Sequence, residues 1–310
     1  MENSILTAII VATIVAGTPL LIVALGELIT ERSGVLNLGA EGMMAVGAIA
    51  GFAVAHATHS AVLGVLAAMV AGMIMSGIFA YITLTLLANQ VASGLALAIF
   101  GVGLSAFVGK PYESETLPPV LPLHIPLLSD IPLIGPALFS QQWLVYFSWL
   151  LLAGVTWFLF KTRAGLVLRV IGESPSSAHS IGYPVIRIRY FATLFGGAMA
   201  GIGGAFLSLF HTPLWVEGMV SGRGWIALAL VVFATWRPLR VLAGAYLFGG
   251  VLIAQLFVQG SGTSIEIPSQ VLSMLPYIAT VVVLVLIARN PNTIRLNSPV
   301  SLGQPYRPDA

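Results

Sequence analysis

Residues 5–29 read ILTAIIVATIVAGTPLLIVALGELI, a stretch of 25 residues in which Glu27 is the only charged side chain. An α-helix needs about 20 consecutive apolar residues to cross the hydrocarbon core of a bilayer. A half-buried strand would instead show apolar and polar residues in alternation, and this stretch does not. The stretch therefore predicts a helix that spans a membrane.

Blocks of the same kind recur through the whole chain of 310 residues, of which 58% are hydrophobic and 8% are charged. A soluble domain carries about 25% charged residues, because its surface faces water. The mean hydropathy of +0.99 leaves too little charge for such a surface. We predict an all-α, polytopic bundle of transmembrane helices that forms one domain over 1–310. About nine spans are predicted, at 5–29, 36–56, 61–87, 91–109, 143–160, 191–210, 220–236, 241–259 and 269–288.

The positions of lysine and arginine predict the orientation of these spans. With nine spans, 11 of the 13 basic residues fall in loops on one side, and only Lys110 and Arg223 fall on the other. Basic residues concentrate in cytoplasmic loops. We therefore expect the N-terminus outside and the C-terminal tail, 289–310, inside. The proline-rich loop 110–142 is expected outside as an extended cap, and the polar loop 161–190 is expected inside.

Motifs for catalysis, metal binding and nucleotide binding are missing from the sequence. It has no cysteine, and its five histidines form no His-Glu-x-x-His pattern. A phosphate-binding loop needs Gly-Lys followed by Ser or Thr, but Lys110 precedes Pro111 and Lys161 follows Phe160. We expect no enzyme activity, no metal site and no bound cofactor in this chain, and no ATP hydrolysis by it.

Polar residues within apolar blocks give the main functional signal, because ionisable groups in a bilayer are costly and usually face a cavity or another helix. Glu27 ends the first predicted span, and Glu41 lies near the start of the second. Asn37 and Glu41 are four residues apart and would share one helix face. They either hold helices together or line a permeation pathway. Four further polar residues are candidates for a pathway, although the first two also suit a plain loop: Asn89, Gln90, Ser93 and Gln255.

A short helix is predicted inside the loop 161–190. Ser174 is a good N-cap, Pro175 suits the first helical position, and Gly182 suits the left-handed residue after the last turn. These signals describe a helix of about two turns in a polar loop. It is either an ordinary surface helix or a docking element for a partner on the inner side.

Three stretches resemble one family of transport proteins. They are LGELITERSGVLNLGAEGMM at 25–44, the loop 172–182, and GRGWIALA at 222–229 followed by WRP at 236–238. Together they resemble the permeases of ATP-binding-cassette (ABC) importers for nucleosides and simple sugars, within the wider group of branched-chain amino acid and ribose permeases. Ser174 stands where that family commonly has asparagine. The resemblance implies that the loop contains a coupling helix on which the ATPase docks. Six residues are expected to form this docking site: Gly172, Glu173, Ser174, Pro175, Ala178 and Gly182.

The resemblance also implies a set of partners and a location. A second related permease, two cytoplasmic ABC ATPase subunits that bind ATP and Mg²⁺, and an extracytoplasmic substrate-binding lipoprotein are expected at the plasma membrane, with no nucleic acid. The permease would move a nucleoside, nucleobase or simple sugar inward. An ion-coupled secondary transporter of a small polar solute is the alternative. Such a transporter needs acids near mid-bilayer, and Glu41, its one fair proton or sodium carrier, is expected too near the inner side. An intramembrane enzyme would need paired catalytic residues, which the sequence lacks.

Overall fold

The computed structural model describes residues 2–126, 129, 131, 134–260, 271, 274, 275, 278, 281, 282, 285 and 297–307. Eleven α-helices are present within these ranges. They are α1 Glu2–Arg32, α2 Ala40–Thr58, α3 Ala61–Ala80, α4 Gln90–Gly109, α5 Ile134–Phe139, α6 Trp143–Lys161, α7 Arg163–Glu173, α8 Pro175–Ser180, α9 Val185–Ala205, α10 Arg223–Phe233 and α11 Pro238–Gly260.

Short irregular elements extend or connect these helices. One π-helical turn, Tyr81–Thr85, continues α3, and another, Phe206–His211, continues α9. A 3₁₀ turn, Lys110–Tyr112, follows α4. The strands β1 Leu123–His124 and β2 Ser140–Gln141 pair antiparallel, with Leu123 opposite Gln141 and His124 opposite Ser140. The proline-rich loop is therefore not extended throughout, since the helix α5 lies within it.

Seven helices in the described part of the chain are long and apolar enough to cross a membrane. A helix satisfies its own backbone hydrogen bonds, which is why such apolar blocks fold as helices in lipid. The all-α polytopic prediction is confirmed, and seven of the predicted spans are found as helices. They are Leu6–Arg32, Ala40–Thr58, Ala61–Thr85, Gln90–Tyr112, Trp143–Lys161, Val185–His211 and Pro238–Phe257.

The predicted span at 220–236 is wrong as a full helical span. Its helix, α10, has 11 residues, which give a length of about 16 Å against a hydrocarbon core of about 30 Å. Residues 212–222 before it are not helical, and both Ser221 and Gly222 have positive φ, at 47° and 80°. The helix therefore begins only at Arg223. The last predicted span, 269–288, falls mostly outside the described residues.

The two ends of the bundle differ in charge. We call one the basic end, which carries Arg32, Arg169, Arg189 and Arg237. Arg32 and Arg189 there hydrogen-bond the segment 297–307, through Asn297 and Ser301. The other is the loop end, where Leu117 pairs with Pro213 and the ring of His56 lies 3.3 Å from Glu115. The two segments that the charge pattern assigned to one side, 161–190 and the C-terminal tail, thus meet at one end.

The centre of the bundle is the span that begins with α9. Of the residues in its most apolar stretch 89% are buried, compared with 22% in the corresponding stretch of α11. Glycines make this packing possible, because a side chain at Gly201 would collide with the backbone of Ala68 in α3. On another side, Gly47 of α2 lies against the backbone of Gly201. Small residues allow helices to approach closely where apolar lipid gives no hydrophobic drive. The outer faces of α4 and α11 carry exposed apolar side chains, such as Phe107 and Leu247.

Candidate functional site

Glu41 joins two helices that are far apart in sequence. Its Oε1 accepts the backbone N–H of Gly222 at 2.7 Å, and its Oε2 accepts the N–H of Gly224 at 2.8 Å. The side chain is 7% exposed. The first N–H groups of a helix lack partners within the helix, and the helix dipole favours a negative charge there. The Glu41 carboxylate therefore caps α10.

Both helices at this junction begin inside the bundle. Residues 33–39 lead into α2 from the basic end without helical structure, and 212–222 lead into α10 from the loop end. Gly42, beside Glu41, packs against Gly101 near the middle of α4. Irregular backbone at membrane depth is tolerated only when it is buried in protein or lines a cavity. The junction between Glu41 and α10 is thus a break in the helical packing at mid-depth.

Two cavities flank this junction. One of about 170 Å³ lies between Glu41, Ser105 and Ser221. The other, of about 220 Å³, is lined by polar groups from three elements, His211, Arg223 and Gln255, together with apolar residues of α1 and α11. Neutral polar solutes need such hydrogen-bonding groups and few fixed charges. Hydrogen-bonding groups and two charged residues, Glu41 and Arg223, thus line the cavities beside the junction.

Arg223 is the basic residue of this junction. It is the first residue of α10, and its Nη1 donates to the carbonyls of Met219 at 2.7 Å and Val220 at 3.2 Å. It also interacts electrostatically with Glu41. The guanidinium thus fixes the turn that presents the N–H groups of α10 to the carboxylate. The charge pattern counts Arg223 only as one of the two basic residues on the less basic side, although an arginine in an apolar block is itself a signal of function.

Asn37 and Glu41 do not share a helix face, because α2 begins at Ala40 and Asn37 lies in the non-helical segment before it. Asn37 instead donates from Nδ2 to Glu27 Oε1 at 2.9 Å, and its Oδ1 accepts the N–H of Gly39 at 3.0 Å. It is fully buried. The amide therefore joins α1 to the start of α2, which is a packing contact.

The candidates at the start of α4 lie apart from the junction. Asn89 Oδ1 accepts the N–H of Ala92 at 3.0 Å and caps α4. Gln90 is buried, and its Oε1 accepts the N–H of Leu36 at 2.8 Å. Ser93 is half-buried one turn later. Of the six polar candidates, only Glu41 and Gln255 line the cavities beside α10.

The helix predicted in the polar loop is present as α8, with the predicted ends. Ser174 Oγ accepts the N–H of Ser177 at 3.3 Å, Pro175 is the first residue, and Gly182 has φ of +90°. Glu173 and Gly182 are exposed, and Ser174 and Pro175 are half-buried. The remaining two residues of the predicted docking set are buried: Gly172 and Ala178. Their surroundings show packing, since a side chain at Gly172 would collide with the carbonyl oxygen of Arg32.

Arg189 and the segment 297–307 connect α8 to the approach to Glu41. Arg189 is 1% exposed, and its Nε donates to the carbonyl of Ser33 at 3.0 Å. Its Nη2 donates to Ser301 Oγ at 2.9 Å, and the N–H of Ser301 donates to the carbonyl of Gly172 at 2.9 Å. These contacts tie the end of α7, next to α8, to the segment 33–39. No motif or spacing in the sequence indicates this connection.

Comparison with known proteins identifies the chain's relatives. The family model described as the permease component of the branched-chain amino acid transport system matches residues 9–288. A putative glucose ABC transporter permease protein of Haloferax volcanii is 40% identical over 95% of this chain and 96% of its own length. A guanosine ABC transporter permease protein of Bacillus subtilis is 34% identical, over 97% of each chain. A nucleoside ABC transporter permease protein of Lactococcus lactis is 32% identical, over 91% of this chain and 92% of its own length. These matches, and the multi-pass helical bundle, show that the chain belongs to the family of branched-chain amino acid transport system permease components.

Proposed function

We propose that this permease carries a nucleoside, nucleobase or simple sugar inward, with ATP hydrolysed by separate partner subunits. The chain is a multi-pass plasma-membrane protein of a transport family. Its relatives named for glucose, guanosine and nucleosides supply the range of substrates. The single structural observation that supports the proposal is the polar junction between Glu41 and α10. It interrupts the helical packing at mid-depth between two cavities.

The proposed mechanism passes movement from α8 to this junction. ATPase subunits that dock on the exposed surface of α8 would displace α7, and the contacts of Gly172, Ser301 and Arg189 would carry that displacement to Ser33. Segment 33–39 leads directly into α2 and Glu41. A second permease would complete the translocation path, and a substrate-binding lipoprotein would deliver the solute at the loop end.

The proposed function is tested by uptake into proteoliposomes that contain the permease with its ATPase partners. Labelled guanosine and glucose are offered together with the binding protein, with and without ATP inside. We expect accumulation of at least one of them only with ATP. Uptake that follows an imposed proton or sodium gradient and ignores ATP would instead support the ion-coupled alternative.

The orientation of the bundle gives a labelling prediction. The natural chain has no cysteine, so single cysteines can be introduced cleanly. Ser129, in the outer loop, is buried and unsuited to labelling, whereas Leu121 in the same loop is 77% exposed. With the loop end outside and the basic end inside, Leu121→Cys reacts with an impermeant maleimide in intact cells. Ser176→Cys, on the exposed side of α8, reacts only after permeabilisation. The reverse pattern would contradict the proposed orientation.

Docking on α8 gives a second prediction. We expect Glu173→Ala and Gly182→Val to abolish ATPase association and uptake while membrane insertion stays normal. Gly182 has positive φ, so valine there is strained by roughly 1–2 kcal/mol. No atom lies near its missing side chain, so the change disturbs no internal packing. Association is measured by co-purification of the ATPase. Glu217→Ala, at an exposed acid of the opposite end, is the matched control and should keep wild-type ATPase association. Normal association in both α8 variants would argue against docking there.

A further inference from the structure

An open cavity of about 890 Å³ lies at the basic end, where α6 ends and α11 begins. It is outside the junction between Glu41 and α10 and plays no part in the proposed translocation path. Among the described residues that line it, Glu173 is the only acid. The basic residues that line it are four arginines: Arg32, Arg169, Arg237 and Arg240.

Two of these arginines have a buried N–H group that finds no partner in the described part of the chain. They are the Nε groups of Arg32 and Arg169. Arg32 is 7% exposed, and its two other nitrogens donate to the carbonyls of Asn297 and Trp236, both at 3.0 Å. Carbonyl oxygens carry no net charge, so these bonds leave the guanidinium unneutralised. Buried charges in proteins are normally paired with an opposite charge.

The sequence offers few acids that could pair with the arginines. Glu31 accepts the indole N–H of Trp236 at 2.6 Å, and Glu173 is exposed at the rim. The described residues of the tail, 297–307, contain no aspartate or glutamate and include one more arginine, Arg307. The cluster therefore has an excess of positive charge that an anion from outside the chain would balance.

The surroundings of the cluster indicate what kind of anion fits. Three apolar side chains on the cavity wall are exposed, Phe160, Leu166 and Leu239. The guanidinium of Arg169 lies over the ring of Phe160 at 5.3 Å from its centroid. The cavity thus combines a charged floor with an apolar rim at the ends of two membrane-spanning helices. A free phosphate or an acidic peptide would leave that rim unused.

We infer that this cavity binds the phosphate headgroup of an anionic phospholipid, with the acyl chains along the apolar rim. Arginine forms forked hydrogen bonds with phosphate oxygens. Basic pockets between transmembrane helices near the membrane surface bind anionic headgroups in other proteins. The bound lipid would neutralise Arg32 and hold the start of α11 against α6 and α7.

The test uses the full-length permease, purified in detergent and examined by native mass spectrometry with added phosphatidylglycerol or phosphatidylcholine. We expect the wild type to retain phosphatidylglycerol selectively. The double variant Arg169→Gln with Arg237→Gln should bind it about 25-fold more weakly, at about fivefold for each arginine. The control, Arg163→Gln with Arg187→Gln, removes the same charge at the same end from exposed residues that do not line the cavity. It should bind as wild type.

Several outcomes would overturn the inference. Equal retention of phosphatidylglycerol by wild type and the Arg169/Arg237 double variant would do so. So would stabilisation by inorganic phosphate alone that equals stabilisation by the lipid in thermal unfolding, because the ligand would then be a free anion. Loss of ATPase co-purification in that variant with unchanged lipid binding would instead assign the arginines to an acidic protein surface. None of these readouts depends on uptake, so they stand apart from the test of the proposed function.

Discussion

Glu41→Leu is expected to lower the free energy of unfolding by at least about 2 kcal/mol and to abolish uptake. Leucine leaves the N–H groups of Gly222 and Gly224 without their acceptor, and each unpaired buried donor costs about 1–3 kcal/mol. It also removes the negative charge that caps α10 and interacts electrostatically with Arg223. Thermal unfolding in detergent measures the first effect, and uptake per amount of inserted protein measures the second.

Glu41→Gln should lower the free energy of unfolding and the uptake less than Glu41→Leu does. Both quantities should still fall below the wild-type values. Its amide keeps one acceptor oxygen for one N–H group, while its NH₂ faces the other donor and cannot accept from it. The ion-coupled alternative predicts that both variants lose uptake equally, because neither glutamine nor leucine can carry a proton. Complete and equal loss of uptake in both variants, with unchanged stability, would favour that alternative. Glu113→Leu, at an exposed acid of the loop end, is the control and should unfold as wild type does.

Gly201→Val is expected to prevent the bundle from assembling. A side chain at Gly201 would collide with the carbonyl oxygen of Ala68 in α3, and Gly47 of α2 already lies against the Gly201 backbone. The collision involves backbone on both sides, so no side chain can move away to relieve it. Overpacking in a well-packed core costs about 1–3 kcal/mol or more. We expect aggregation or loss of a monodisperse peak in size-exclusion chromatography in detergent.

Gly103→Val provides the matched control for this experiment. Gly103 lies in α4, where a side chain would meet no atom within 4 Å. The two variants add the same side chain to a helix, so they share the change in helix propensity and differ in packing. We expect the control to elute and unfold as wild type. If Gly201→Val did so too, the close approach of α2, α3 and α9 would not be the feature that holds the bundle together.

The sequence determined where the chain can enter a membrane, and which segments share an end of the bundle. Hydropathy reports the free energy of moving about 20 residues into hydrocarbon. That free energy depends on the residues of the stretch itself and not on distant parts of the chain. It also determined α8, because an N-cap such as Ser174, a proline at the first position and a glycine at the end act through neighbouring backbone groups. For this reason the ends of α8 agree with the prediction to the residue.

Only the tertiary structure decided where α2 and α10 begin, and which group each buried polar residue contacts. Hydropathy does not distinguish a full helix from a short helix that follows an irregular segment, so 220–236 looked like a complete span. The partner of Glu41 lies at Gly222, 181 residues along the chain, and Arg189 meets Ser33 across 156 residues. A buried polar group bonds whichever partner the packing brings within reach, and in this bundle the glycine contacts of α2, α3 and α9 determine that packing.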